Sequence, residues 1–197
     1  MKRFFSSLAI LFLAATRLLS GDEVREKLMK VSVEVPDLSG KNVQPLNVDK
    51  AKGHVLIFTA HDCPVANTYV PVINALFEKE KEDFRFFMVH VDFRLSLDQA
   101  RKHASAYGLK PSILIDRKHL LVAETGVLRT PEVAVILPGG RMAYRGRIDN
   151  LYEALGKKRN VVTRHELRDA LKDLRDGRAV RVKRTKAVGC TIPVNDE

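Results

Sequence analysis

The sequence predicts an α/β domain, a three-layer sandwich in which helices cover a central mixed sheet, extended by a C-terminal helix and tail. Three observations point there. "HVLIFTA" (54–60) and "FRFFMVHVDF" (84–93) are continuous apolar runs of the kind that strands buried on both faces require. Segments with helical spacing separate such runs. "EVAVILPGGRMAYRGRID" (132–149) then reads as two strands around a Pro-Gly-Gly turn, so a hairpin closes the alternation.

Each element has its own signal. "MKR" followed by "FFSSLAILFLAAT" is a basic start and a short apolar run, so residues 1–20 are expected to be an export signal, with an uncleaved membrane anchor as the rival reading. "KVSVEV" alternates Val31, Val33 and Val35 with the period of a half-buried strand, and "PDLSGKNV" supplies turn residues. After the strand at 54–60, apolar positions recur at Val65, Tyr69, Val72 or Ile73, Leu76 and Phe77, which predicts a helix leaving through "EKEKED". "SLDQARKHASAYG" is a helix with Ser96 as N-cap and Gly108 at its end. "SILID" is a short strand. "TRHELRDALKDLRDG" carries a capping-box pattern, Thr163-x-x-Glu166, and an apolar stripe of Leu167, Ala170, Leu171 and Leu174, with Gly177 as terminator. The chain therefore divides into a leader (1–20), a domain (21–156) and a basic helix with a cysteine-containing tail (157–197).

The net charge of +10 is uneven. Residues 157–186 hold 12 Lys+Arg against 4 Asp+Glu, and the leader adds Lys2, Arg3 and Arg17, so the main domain is close to neutral. The C-terminal segment reads most simply as a solvated helix face with a basic tail, and an anionic protein or lipid surface suits it as a partner; nucleic acid is a poor partner for an exported chain. Cys63 and Cys190 are the two cysteines, and an oxidising compartment permits one disulfide between them.

"FTAHDCP" (58–64), with Cys63 where a strand meets a helix, resembles the thioredoxin-like superfamily and is most similar to its redoxin branch of peroxiredoxin-like and thiol–disulfide proteins. Pro71 lies eight residues after Cys63, where that superfamily kinks its active-site helix. Thr130-Pro131 precedes the strand "EVAVIL", as the superfamily's cis-proline precedes its penultimate strand. The resemblance covers about residues 30–156. It implies thiol–disulfide exchange with protein thiols or disulfides, with no cofactor, and it implies that Thr130 and Pro131 stand beside the reactive cysteine. The departures are equally specific. Ala66 and Asn67 occupy the positions of a second cysteine in C-x-x-C and C-x-x-x-C motifs. Ile57 stands where thioredoxins bury an acid, and Ala60 where peroxiredoxins place a threonine.

Cys63, at a helix N-terminus, is expected to ionise readily and to attack a disulfide. His61 adds a positive neighbour when protonated, while Asp62 works against thiolate if it faces the sulfur. Cys190, in "AVGCTIP", has three open uses: a resolving thiol, a static disulfide partner, or an intermolecular link. His90 reads as a core histidine, and His103, His119 and His165 have no metal-binding spacing, so no metal site is expected. Arg145 and Arg147 share one face of a strand and suit contact with an anion, but read more simply as solvated edge residues. The sequence therefore points to an exported, periplasmic or extracellular thiol–disulfide oxidoreductase with Cys63, Cys190, Thr130, Pro131 and His61 as its site. A non-enzymatic copper-handling or redox-sensing module and a thiol peroxidase are the alternatives.

Overall fold

A computed structural model describes residues 28–193. The expected export signal at 1–20 lies outside the described residues. The elements in chain order are β1 (Val35–Pro36), β2 (Asn42–Val43), β3 (Gly53–Thr59), α1 (Pro64–Thr68), α2 (Val70–Glu80), β4 (Phe84–His90), α3 (Leu97–Tyr107), β5 (Ser112–Ile115) and α4 (Leu120–Thr125). There follow β6 (Arg129–Thr130), β7 (Glu132–Leu137), β8 (Arg141–Gly146), β9 (Tyr152–Ala154), β10 (Lys157–Lys158), α5 (Glu166–Arg175) and β11 (Cys190–Thr191). Among the described residues, no helix is long and apolar enough to cross a membrane.

The central sheet has the order β5-β4-β3-β7-β8. β3, β4 and β5 run parallel, while β7 and β8 run antiparallel to their neighbours. β3 is the middle strand and all seven of its residues are buried. Its side chains alternate between two cores: Val55 and Ile57 face one, Leu56 and Phe58 the other. This is why the run carries no polar period. The β7–β8 turn uses Gly139 and Gly140, whose φ values of 78° and 75° suit residues without a Cβ.

The helices show which local signals survive tertiary packing. Ser96 and Gln99 form a reciprocal capping box on α3, and Gly108 ends that helix in the left-handed region. The helix after Cys63 is broken at Tyr69, one turn in. Pro71 has no N–H to give the Asn67 carbonyl, so the ladder is interrupted there. α4 has no counterpart in the sequence reading. Its first turn is held by the Asp116 carboxylate, which accepts N–H bonds from Leu120, Leu121 and Val122 at 2.8, 2.9 and 3.1 Å.

Three expectations need correction. "KVSVEV" is not a strand: only Val35–Pro36 pairs, with Asn42–Val43, and the following turn is tied by Asp37 Oδ1 accepting from Ser39 and Lys41 N–H. The Thr163 capping box does not form. His165 is the N-cap of α5, Thr163 Oγ1 accepts from Asn150 Nδ2 at 2.8 Å, and Glu166 pairs with Arg147. Tertiary partners offered both side chains more than the helix end did. The basic residues of the C-terminal segment are solvent-exposed apart from half-buried Arg175, and three of its arginines also tie down buried acids. Arg175 grips the buried Glu80 carboxylate at 2.8 and 2.9 Å, and Arg178 and Arg181 hold the buried Asp173. Arg145 likewise pairs with buried Glu132, so Arg145 and Arg147 are ties rather than solvated edge arginines.

α5 packs Leu167, Ala170 and Leu171 into the same core that holds Val55, Ile57 and Cys63. The chain then runs back along the β8 edge. Arg145 N–H donates to Lys183 O and Thr185 N–H donates to Arg145 O, at 2.9 and 3.0 Å. The Thr185 hydroxyl reaches Tyr144 and the Arg147 N–H, so the tail is seated on the domain.

Candidate redox site

The site is assembled from three backbone segments. β3 ends at Thr59, a tight turn follows, and Cys63 sits at the N-cap of α1 with an extended backbone. Pro64 at the first helical position suits this start, because the missing N–H would have had no partner. The second segment is β6, whose Thr130–Pro131 peptide bond is cis. The third is β11, which pairs antiparallel with β6 in the register Cys190↔Thr130 and Thr191↔Arg129.

This brings Cys63, Cys190 and Thr130 into direct contact. The two sulfurs are 2.6 Å apart and not bonded to each other, and the Cys63 thiol also donates to the Thr130 carbonyl at 3.1 Å. Cys63 is 1% exposed, whereas Cys190 is half-buried. Burial opposes ionisation of Cys63. Hydrogen bonds from the Cys190 thiol, the Thr130 side chain and the Ala66 N–H outweigh it, so the Cys63 pKa lies below that of an ordinary thiol. The Thr130 carbonyl works the other way, since it loses a donor when the sulfur ionises. Cys190 is shifted oppositely. Burial, the Cys63 contact and the Asp62 carboxylate push it up to about 11. Asp62 thus disfavours charge on Cys190.

His61 is engaged by a carboxylate: its Nδ1 lies 2.9 Å from Asp92 Oδ2. His61, Asp62 and Asp92 have donor atoms within 4.8 Å of one another, and they are the residues here that could hold a cation.

Two residues that sequence reasoning passed over brace the Cys63 loop. Asn67 donates its backbone N–H to Cys63 O at 3.0 Å and its Nδ2 to His61 O at 3.0 Å, and its Oδ1 lies 2.9 Å from His103 Nε2. The residue standing where a second cysteine would be is a clamp. Its partner His103, buried on α3, packs edge-on against His90 with ring centroids 5.0 Å apart. His90 is fully buried and neither ring nitrogen has a hydrogen-bond partner among the described residues. Burial first, then the neighbouring His103 and His61, hold its pKa down to about 3, so it is neutral at physiological pH. A third missed residue, Arg129, donates from Nη1 to Gly189 O at 3.2 Å and to Thr191 Oγ1 at 3.1 Å. Nothing in its sequence context marks it apart from its place before Thr-Pro.

Residues 26–145 match the AhpC/TSA family, well over half of the chain. The chain belongs to the AhpC/TSA family. The matched stretch of this AhpC/TSA protein includes Cys63, Thr130 and Pro131 and ends before Cys190. Solved structures place its fold. An uncharacterised conserved protein from Geobacillus kaustophilus superposes with a TM-score of 0.68 at 21% identity, covering 87% of this chain and 94% of that one. DsbF from MTB, in mixed oxidised and reduced forms, gives 0.53 at 21% identity over 73% and 96%. A candidate thiol:disulfide interchange protein, DsbE from Chlorobium tepidum, gives 0.54 at 18% identity over 77% and 96%. The fold is thioredoxin-like and of redoxin type. No curated protein matches the chain.

Proposed function

We propose that this AhpC/TSA protein is an extracytoplasmic thiol–disulfide oxidoreductase in which Cys63 attacks and Cys190 resolves. The observation that carries the reading is the contact of the two sulfurs, 2.6 Å apart, beside Thr130–Pro131. The Cys63 thiolate attacks one sulfur of a partner disulfide. A Cys63–partner bond forms and the second partner sulfur leaves as thiolate. Deprotonated Cys190 then attacks the Cys63 sulfur, the first partner sulfur leaves, and the protein holds a Cys63–Cys190 disulfide. The partner gains two electrons and the protein loses two; the reverse sequence oxidises a partner dithiol.

The opposite pKa shifts fit this division of labour. The thiol that ionises first should attack, and the one held protonated should wait. The thioredoxin-like folds of DsbF and DsbE support the reading, as does the leader-like start of the sequence. A peroxidase has less support, because Ala60 stands where that chemistry places its threonine.

The test is redox titration of the mature chain in glutathione buffers, followed by mass mapping of the cysteines and by exchange kinetics with a disulfide peptide. A single two-electron transition joining Cys63 to Cys190, and exchange faster than by glutathione at equal thiolate concentration, are expected. Two thiols that titrate independently would overturn the proposal.

A further inference from the structure

We infer that residues 189–192 occupy the edge through which a partner strand reaches Cys63. The tail then both competes with the partner and displays what the edge accepts, an extended segment with glycine directly before its reacting cysteine. The inference rests on the thiol–disulfide reading and specifies its substrate class.

The tail is bound as a strand would be. Cys190 lies opposite Thr130 and Thr191 opposite Arg129, and Ile192 N–H donates to Leu128 O at 3.0 Å. The Ile192 side chain is buried in the second core beside Leu121 and Val127. Arg129 closes over the outside of the strand through Gly189 O and Thr191 Oγ1. These are mostly main-chain contacts, so any extended segment of the right shape can reproduce them.

Shape is where the edge becomes selective. Gly189 is not among the residues with positive φ, so its backbone does not call for glycine. Space does. A Cβ built at Gly189 overlaps the Thr130 carbonyl oxygen and lies 3.1 Å from Pro131 N. The obstacle is the Thr130–Pro131 peptide backbone and cannot move aside as a flexible side chain would. A partner that docks in the tail's register meets the same wall at the residue before its cysteine. Since Cys63 is 1% exposed with the tail in place, the partner must first displace it. Re-docking of the tail then brings Cys190 to the Cys63–partner bond and removes the partner strand in one movement.

The test uses two peptides, AVGCTI and AVVCTI, each carrying thionitrobenzoate in mixed disulfide on its cysteine. Attack by Cys63 on the peptide sulfur forms the Cys63–peptide bond and expels coloured thionitrobenzoate. The reduced full-length chain is expected to react at least tenfold faster with the glycine peptide. Gly189→Val, which unseats the tail, is expected to label tenfold faster with iodoacetamide at Cys63 and to keep the peptide preference. Equal rates for the two peptides, both well above a free cysteine of the same ionisation, would overturn this inference and leave the thiol–disulfide reading standing. Rates no higher than that free cysteine would overturn both. If Gly189→Val does not unfold cooperatively, the peptide ratio on the unaltered chain decides alone.

Discussion

The two thiols meet in one site but are held by different kinds of structure. Cys63 is fixed by the junction of the most buried strand with a helix, and its loop is clamped by Asn67 from both sides. Cys190 is fixed by a two-residue strand, one arginine and a glycine that fits under a carbonyl. To move Cys63 the core must open. Moving Cys190 breaks only a few main-chain bonds and the Ile192 contact. A local opening of that size costs far less than global unfolding. On the proposed mechanism a detachable tail would deliver the resolving thiol that the helix does not supply, because only one partner in the exchange must be rigid.

The sharpest way to break the comparison is to remove each thiol. Cys63→Ser is expected to reduce disulfide exchange to the uncatalysed level. Cys190→Ser should retain the first attack and accumulate mixed disulfides at Cys63, seen as adducts by intact-mass analysis. Equal loss without adducts in both variants would show that the thiols do not divide the work.

Next in size is the anchor beneath the tail. Arg175→Ala leaves the buried Glu80 carboxylate without its main partner. Because Arg175 is 30% exposed, the loss in urea-denaturation stability is expected to be smaller than for a fully buried pair but larger than for a surface ion pair. An unchanged denaturation midpoint would show that the α5 leucines alone seat the helix.

His90 tests the Cys63 side. Its folded pKa of about 3 lies below the usual 6.5. Between those values the unfolded chain binds a proton that the folded one does not. Its contribution is therefore intact above pH 6.5 and is lost as pH falls. Relative to His90→Leu, the unaltered protein should lose up to about 1.4 kcal/mol per pH unit below 6.5. Taking the difference removes the opposing effect of Asp116, whose carboxyl burial raises to about 6. A difference that does not vary with pH in urea melts would show that His90 has no depressed pKa.

The smallest effect separates a cap that forms from one that does not. Ser96→Ala should cost about 1 kcal/mol, as an N-cap does. Thr163→Ala should cost about half that, one partly buried hydrogen bond to Asn150. Equal costs in thermal melts would erase the distinction.

Sequence alone determined the elements whose signals are local or need burial on both faces. β3, β4 and the β7–β8 hairpin were legible because apolar runs and a Pro-Gly-Gly turn have few other uses. α3 was legible because its capping box had no tertiary rival. Cys63 stood out by its place between a strand and a helix, and Thr130-Pro131 through the resemblance to thioredoxin-like proteins. Tertiary structure decided what depends on a partner distant in sequence. Thr163 and Glu166 match a cap, but Asn150 and Arg147 claim them. The basic run reads as a solvated face and is one, yet three of its arginines also neutralise the buried Glu80 and Asp173. Asn67 looks like a lost cysteine and is a clamp only because His103 arrives from α3. The meeting of Cys63 with Cys190 spans 127 residues. No local pattern encodes it, because the Gly189 fit against Thr130 and the Arg129 bonds exist only once both segments are in place.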